Sequence, residues 1–189
     1  MTFKTDDLRA FLQKENGPAS ASRWQVILPN ISGDVKPGGG TVEWDGTIND
    51  MNLVCTAARL PGIDVITVDR QIGMIPQKVA VGKTNTPVSL TFYLTNKYTS
   101  RKYFQEWMET VVGTGAPYTA GFLNLYGKDV TIQQLDKLGQ KVYEVKLQQA
   151  YPINLSEIEL NNAAATAAAE FTVTLQYTTY EVVALGNNL

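Results

Sequence analysis

Pro87-Val88-Ser89-Leu90-Thr91-Phe92-Tyr93-Leu94-Thr95 places Val88, Leu90, Phe92 and Leu94 on one face and Ser89, Thr91 and Tyr93 on the other. A period of two is the pattern of a strand with one buried face. After Asn96-Lys97 the period changes. Phe104, Trp107, Met108 and Val111 recur at helical spacing and make a single apolar stripe. Thr99 or Ser100 caps the start, and Gly113 and Gly115 stop it, so a helix is predicted over about residues 98–112. Core packing accounts for Phe104 and Trp107 better than a cofactor role does. In a mostly-β chain such a helix covers an open face or end of the sheets.

Composition narrows the function classes. Hydrophobic residues make up 44% of the 189-residue chain, which is enough for one domain with a real core. The net charge of −2, with Lys and Arg scattered, gives no basic patch for nucleic acid. No apolar run is long enough to span a membrane, and Met1-Thr2-Phe3-Lys4-Thr5-Asp6-Asp7 does not read as a signal peptide. The single cysteine, Cys55, has no internal disulfide partner and suits a chain made in a reducing cytoplasm. There is no histidine, which removes the commonest general base and metal ligand. Glu157 with Glu159, and Asp64 with Asp69, read as solvated surface rather than paired catalytic carboxylates. Gly38-Gly39-Gly40 lacks the Lys-Ser/Thr of a phosphate loop and reads as a loop tip. No enzyme chemistry, cofactor site or metal site is expected.

Working outward, residues 5–14 predict a short amphipathic helix with Leu8, Phe11 and Leu12 on its apolar edge. At that length it is marginal alone and needs a docking surface. Strands are predicted over residues 23–29 and 53–59, with a long loop over 30–50 that departs from the core. Residues 63–70 and 77–81 read as extended arms around a turn at Gly73-Met74-Ile75-Pro76. Val65, Ile66, Val68, Ile72, Met74 and Ile75 are too many apolar residues for a solvated ribbon, so the segment 63–81 meets a partner or the core. Residues 123–126 read as a short extended piece. Residues 129–135 and 140–149 make an antiparallel pair around Gly139. The chain breaks away at 150–155, resumes extension at 156–160, crosses an Ala-rich turn and ends its strands at Phe171-Thr172-Val173-Thr174-Leu175-Gln176-Tyr177. The expected fold is mostly β: an antiparallel β-barrel or sandwich in one domain, with one capping helix and a short N-terminal helix. The outward strand faces, rich in Thr, Gln and Ser, suit water or a wide polar channel.

The order of these pieces is what carries a resemblance. The acidic-start helix is followed by Arg23-Trp24-Gln25-Val26. Then come Cys55-Thr56-Ala57-Ala58-Arg59-Leu60-Pro61-Gly62 and the strand–helix unit with Tyr98-Thr99-Ser100-Arg101-Lys102-Tyr103-Phe104-Gln105-Glu106-Trp107. Ala150-Tyr151-Pro152-Ile153-Asn154-Leu155 and the Phe171–Tyr177 alternation complete the series. In this order the sequence resembles the T4-type contractile phage tail tube family across most of residues 5–180. The resemblance implies a structural virion protein whose hexameric rings stack into the inner tube of a contractile tail. Strands of neighbouring subunits join into one inner barrel, with the tape measure protein in the lumen and the sheath outside. Baseplate and terminator proteins sit at the ends, and DNA passes through without specific binding. The protein would be made in the host cytoplasm. Expected interface residues are Leu8, Phe11 and Leu12 in the N-terminal helix, Val65, Val68, Ile72, Met74 and Ile75 in the arm, and Leu189 in the C-terminal tail. Alternatives within this architecture are a baseplate tube initiator and a type VI secretion-like tube. The alternative of another class is a monomeric small-ligand-binding β-barrel, which oligomeric state separates.

Overall fold

The computed structural model describes residues 9–10, 21–44, 46–71, 74–113, 119–158 and 168–185. The alternating stretch forms β5 (Val88–Tyr93), with Val88, Leu90 and Phe92 fully buried. β5 pairs antiparallel with β2 (Cys55–Ala58) on one side and β8 (Glu170–Gln176) on the other. Phe92 stands opposite Phe171 with ring centroids 5.8 Å apart. A second antiparallel sheet contains β1 (Trp24–Ile27), β6 (Lys128–Leu135), the first half of β7 (Lys141–Leu155) and β9 (Thr179–Leu185). It contributes Val26, Val130, Ile132, Val145 and Leu147 to the same core. Fully burying side chains of this size is worth about 1.5–3 kcal/mol each.

β7 belongs to both sheets. Its first half pairs with β6 and β9, and residues 151–155 pair with β8. The corner falls at Gln149, whose φ is 52°. Its N–H donates to Asp129 Oδ1 at 3.3 Å, and its Oε1 accepts from the Thr178 hydroxyl at 3.0 Å. A strand that changes sheets at a bend is a standard device of packed antiparallel sheets. The architecture is therefore an antiparallel sandwich. The predicted break at 150–155 is a change of sheet within one strand, and the predicted last strand is followed by β9.

The amphipathic stretch forms α2 (Thr99–Val111). Its buried residues are Ser100, Tyr103, Phe104, Trp107 and Thr110, while Met108 and Val111 are only half-buried. The stripe is wider than predicted because α2 is covered from two sides. Phe104 packs on Phe92 at 4.9 Å, and Tyr103 packs on Trp44 at 5.0 Å. The start is also different: neither Thr99 nor Ser100 caps it. Tyr98 is the N-cap, with a left-handed φ of 56° and no capping side chain, and Ser100 Oγ donates to Tyr93 O at 3.0 Å.

Trp44 belongs to the segment predicted to leave the core, and the structure overturns that prediction. Ile31, Val42 and Trp44 are buried. The Tyr103 hydroxyl donates to Pro29 O at 2.6 Å, and burial pushes its pKa far above the ordinary tyrosine range. Lys36 Nζ sits 2.6 Å from Glu106 and 2.7 Å from Glu109. Burial opposes its charge, but the bonds to the two carboxylates outweigh this and raise its pKa. The carbonyl of Pro37 reaches the backbone at Gly113, where a Cβ would lie 2.4 Å away. Charged and Gly-rich composition hid a strap that folds over α2. Two short helices were also missed: α1 (Ile48–Leu53) before β2, and α3 (Leu123–Tyr126), read as extended from sequence. α3 is held by tertiary contact, since Trp107 Nε1 donates to Tyr126 O at 2.9 Å. Residues 156–158 are not in a strand.

Candidate assembly surface

β2 and β5 continue beyond the sandwich. The pairing keeps one register from Ala57–Thr91 and Ala58–Leu90, through the bonds Arg59 N to Ser89 O and Thr86 N to Gly62 O, to Ile63–Asn85 and Ile66–Gly82. In that register Pro61 falls opposite Pro87. Neither has an N–H to give, so the ladder is interrupted on both strands at one level. Beyond it, β3 (Ile63–Gln71) and β4 (Pro76–Asn85) form a separate two-stranded sheet.

This arm stands away from the core. Every residue of β3 is exposed, and so is every residue of β4 except the half-buried Asn85. Ile66 and Gly82 share one face with Val68 and Val79, and Val81 is the extra residue at a register shift. Val65 is 60% exposed, Val68 52%, Ile75 76% and Met74 99%. The reading that these residues fill the chain's own core is therefore wrong. Among the described residues, the arm is tied down at its base, by Asn85 Nδ2 to Thr178 O at 3.2 Å and by the Tyr177 hydroxyl to Thr86 O at 2.9 Å. A lone two-stranded ribbon is marginally stable in water, and this one gathers exposed apolar side chains that the described subunit does not cover. Of the other expected interface residues, Leu8, Phe11, Leu12, Ile72 and Leu189 lie outside the described residues.

The sheet that carries the arm has a distinctive outer face. Ser89, Thr91, Thr172, Thr174, Gln176 and Asn154 alternate with the core positions and bear no charge. The Thr91 and Thr172 hydroxyls are 3.2 Å apart. Among the described residues, the outer edges of β2 and of residues 151–155 of β7 have no strand partner. Pro152, on that second edge, would be disfavoured in a central strand.

Nothing at this surface resembles a catalytic centre. Among the described residues no cluster of acidic or Cys side chains could hold a metal ion, and no helix is long and apolar enough to cross a membrane. Burial pushes the Cys55 thiol up to about 12, against a smaller opposing backbone hydrogen bond at Ala57. A cleft of about 810 Å³ between β1 and α1, lined by Trp24, Leu53, Cys55 and Leu135, is open to solvent. Sequence reasoning found the arm through its surplus of apolar residues. It missed the exposed Leu53 (82%), and Tyr98 (47%) gave no signal because it sits in a polar break.

The described residues present an antiparallel sandwich with a projecting apolar arm and open sheet edges. The family profile described as phage tail tube protein matches residues 19–183, and the chain belongs to that family. It is a structural component of a tail tube. Solved structures share the fold at low sequence identity. A chain from an extracellular contractile injection system (PVC sheath/tube terminator in the extended state) has a TM-score of 0.56 at 15% identity, covering 88% of this chain and 97% of that one. A chain from the anti-feeding prophage baseplate gives 0.57 at 13%, covering 89% and 97%. One from the PVC sheath–tube complex gives 0.53 at 14%, covering 96% and 100%. No curated protein matches the chain.

Proposed function

We propose that the chain forms hexameric rings that stack into the hollow inner tube of a contractile phage tail and serve as the conduit for DNA. The observation that carries this is the arm-bearing sheet. It has one face on the core, an outer face dominated by uncharged Ser, Thr and Gln side chains with Arg59 and Glu170 towards its two ends, and, among the described residues, a free edge on each side. Pairing the β2 edge of one subunit with residues 153–155 of the next, beyond Pro152, which has no N–H to give, covers both exposed edges and closes a ring. The Ser89–Thr91–Thr172–Thr174 face then lines the lumen, and α2 lies on the outer wall. A wall mostly of hydroxyls and amides, with Arg59 towards one end and Glu170 towards the other, offers a passing polyanion no cluster of cations at which to bind. The arms lie against neighbouring subunits and rings, where Val65 and Val68 leave water.

The partners follow from this placement: a tape measure protein in the lumen, a sheath on the α2 side, and baseplate and terminator proteins at the ends. The subunit does no chemistry and needs no cofactor. It is made in the host cytoplasm and ends in the virion. The same assembly would serve a tube initiator or a secretion-like tube. A sheath gene, a tape measure gene and capsid genes beside its own gene separate the phage tail from the secretion device.

The test is electron microscopy with light scattering across a concentration series. Alongside it, Thr56→Cys and Asn154→Cys are combined in a Cys55→Ser background. Sixfold rings whose subunits cross-link through the two new thiols are expected. A stable monomer at every concentration, with no cross-link, refutes the ring.

A further inference from the structure

The arm leaves the sheet at one end, where β5 begins at Val88 opposite Leu175. At the other end β5 stops at Tyr93, and a second exposed apolar group gathers there. Tyr93 N–H donates to Val54 O at 2.9 Å, which brings Leu53 alongside. The Tyr93 carbonyl accepts from Ser100 Oγ, in the first turn of the helix that Tyr98 caps. Leu53 is 82% exposed, Tyr98 47% and Tyr93 45%.

Tyr98 supplies an independent observation. A bulky residue at φ 56° is strained, and here no side-chain cap hydrogen bond accompanies it. Glycine would hold the same backbone without strain. Strain of this kind concentrates at functional contacts rather than in inert turns. Its effect here is to keep an aromatic ring at the rim of the sheet.

Resting on the reading above that rings stack, we propose that Leu53, Tyr93 and Tyr98 form the receptor for the arm tip, Met74 and Ile75, of a copy in the next ring. Head-to-tail stacking brings opposite ends of identical subunits together. The two groups sit at opposite ends of the β2–β5 and β3–β4 run, and Met74, Leu53 and Ile75 are its most exposed apolar residues. Nine residues of β3 span about 30 Å, enough to carry the tip clear of the subunit that bears it. The occupant is a second copy of this chain, because a contact of one end with the other repeats without closing, and that repetition is what a tube requires.

The experiment uses the full chain. Protein carrying Ile75→Cys and protein carrying Leu53→Cys, both in a Cys55→Ser background, are mixed, assembled and oxidised. A heterodimer band is expected in tubes and absent from unstacked rings. The Leu53→Asp/Tyr98→Asp variant should keep its rings and melting temperature but give at least tenfold fewer tubes. If Val68→Asp abolishes tubes while this receptor variant stacks at wild-type yield, or if tubes form without the heterodimer, the receptor assignment is wrong and the stacking reading stands. If Val68→Asp also assembles at wild-type yield, the arm is not the stacking contact and the receptor assignment falls with it; if the unmodified chain gives rings but never tubes, the stacking reading itself fails. Should the receptor variant prove unstable, the cross-link alone decides.

Discussion

Shortening Val68 to Ala separates what the arm does for the subunit from what it does for the assembly. Val68 is 52% exposed in the single chain, and no core residue packs on it. Surface substitutions of this kind change folding stability by less than about 0.5 kcal/mol. In the assembly the exposed half becomes buried. Full burial of a valine is worth about 1.5–3 kcal/mol, so losing two methyls on a half-buried side chain removes about 0.5–1 kcal/mol per arm. Summed over the six arms of the proposed ring this is roughly 3–6 kcal/mol, and at 1.4 kcal/mol per decade it weakens assembly about 10²- to 10⁴-fold. Chemical denaturation reads the first quantity, and light scattering reads the second as the critical concentration for assembly. Thr67→Ala is the control, since it alters strand propensity on the face opposite Ile66, Val68 and Val79 and removes only a short polar side chain there. Unchanged folding with a critical concentration raised at least tenfold is expected for Val68→Ala alone. Equal shifts for both variants, or no shift for Val68→Ala, refute the claim that this apolar face is buried on assembly.

Three further outcomes follow from the single subunit. Gly113→Ala forces a Cβ to within 2.4 Å of the Pro37 carbonyl and loosens the strap from α2, costing about 1–3 kcal/mol in a urea titration. Tyr98→Gly relieves the left-handed strain, so the subunit gains about 1 kcal/mol and melts roughly 2–4 °C higher, while tube yield falls. Cys55 is held protonated by burial up to about 12, whereas an unfolded thiol ionises near about 8.5. Its contribution is therefore complete below the unfolded value and is lost as pH rises toward 12. Cys55→Ser should flatten that alkaline decline in denaturation curves, and a thiol reagent at neutral pH should react slowly until denaturant is added.

The sequence made legible those elements whose burial is one-sided and regular. Val88, Leu90 and Phe92 in β5, and Phe171, Val173 and Leu175 in β8, each declare a face by simple alternation. Phe104 and Trp107 declare a helix in the same way. What stayed hidden depends on tertiary contact. The strap over residues 31–44 has the polarity of a free loop, and its place on the core depends on Trp44 meeting Tyr103 and on Lys36 meeting two glutamates. α1 and α3 are too short to show a period. The sheet change in β7 lies in the backbone of Gln149, a residue with no turn propensity of its own. The arm was legible for the opposite reason: its valines and isoleucines form a pattern that the fold of one subunit does not use.

A subunit that displays such a ribbon must avoid aggregating before it assembles, and the arm carries the means to do so. Asp64, Asp69, Arg70, Lys78 and Lys83 interrupt its apolar positions with charges of both signs. These act as gatekeepers against indiscriminate edge pairing. The register shift beside Val81 adds local twist, which makes a flat, unlimited stack of ribbons harder to form. The facing prolines Pro61 and Pro87 interrupt the ladder between ribbon and sandwich, so the core does not enforce one arm position before a partner is present. A projection that fits the opposite end of an identical molecule is a hazard in most proteins, because such contacts propagate into fibres. For a tail tube subunit, propagation along one axis is the working state, and the charges and the broken ladder confine it to that axis.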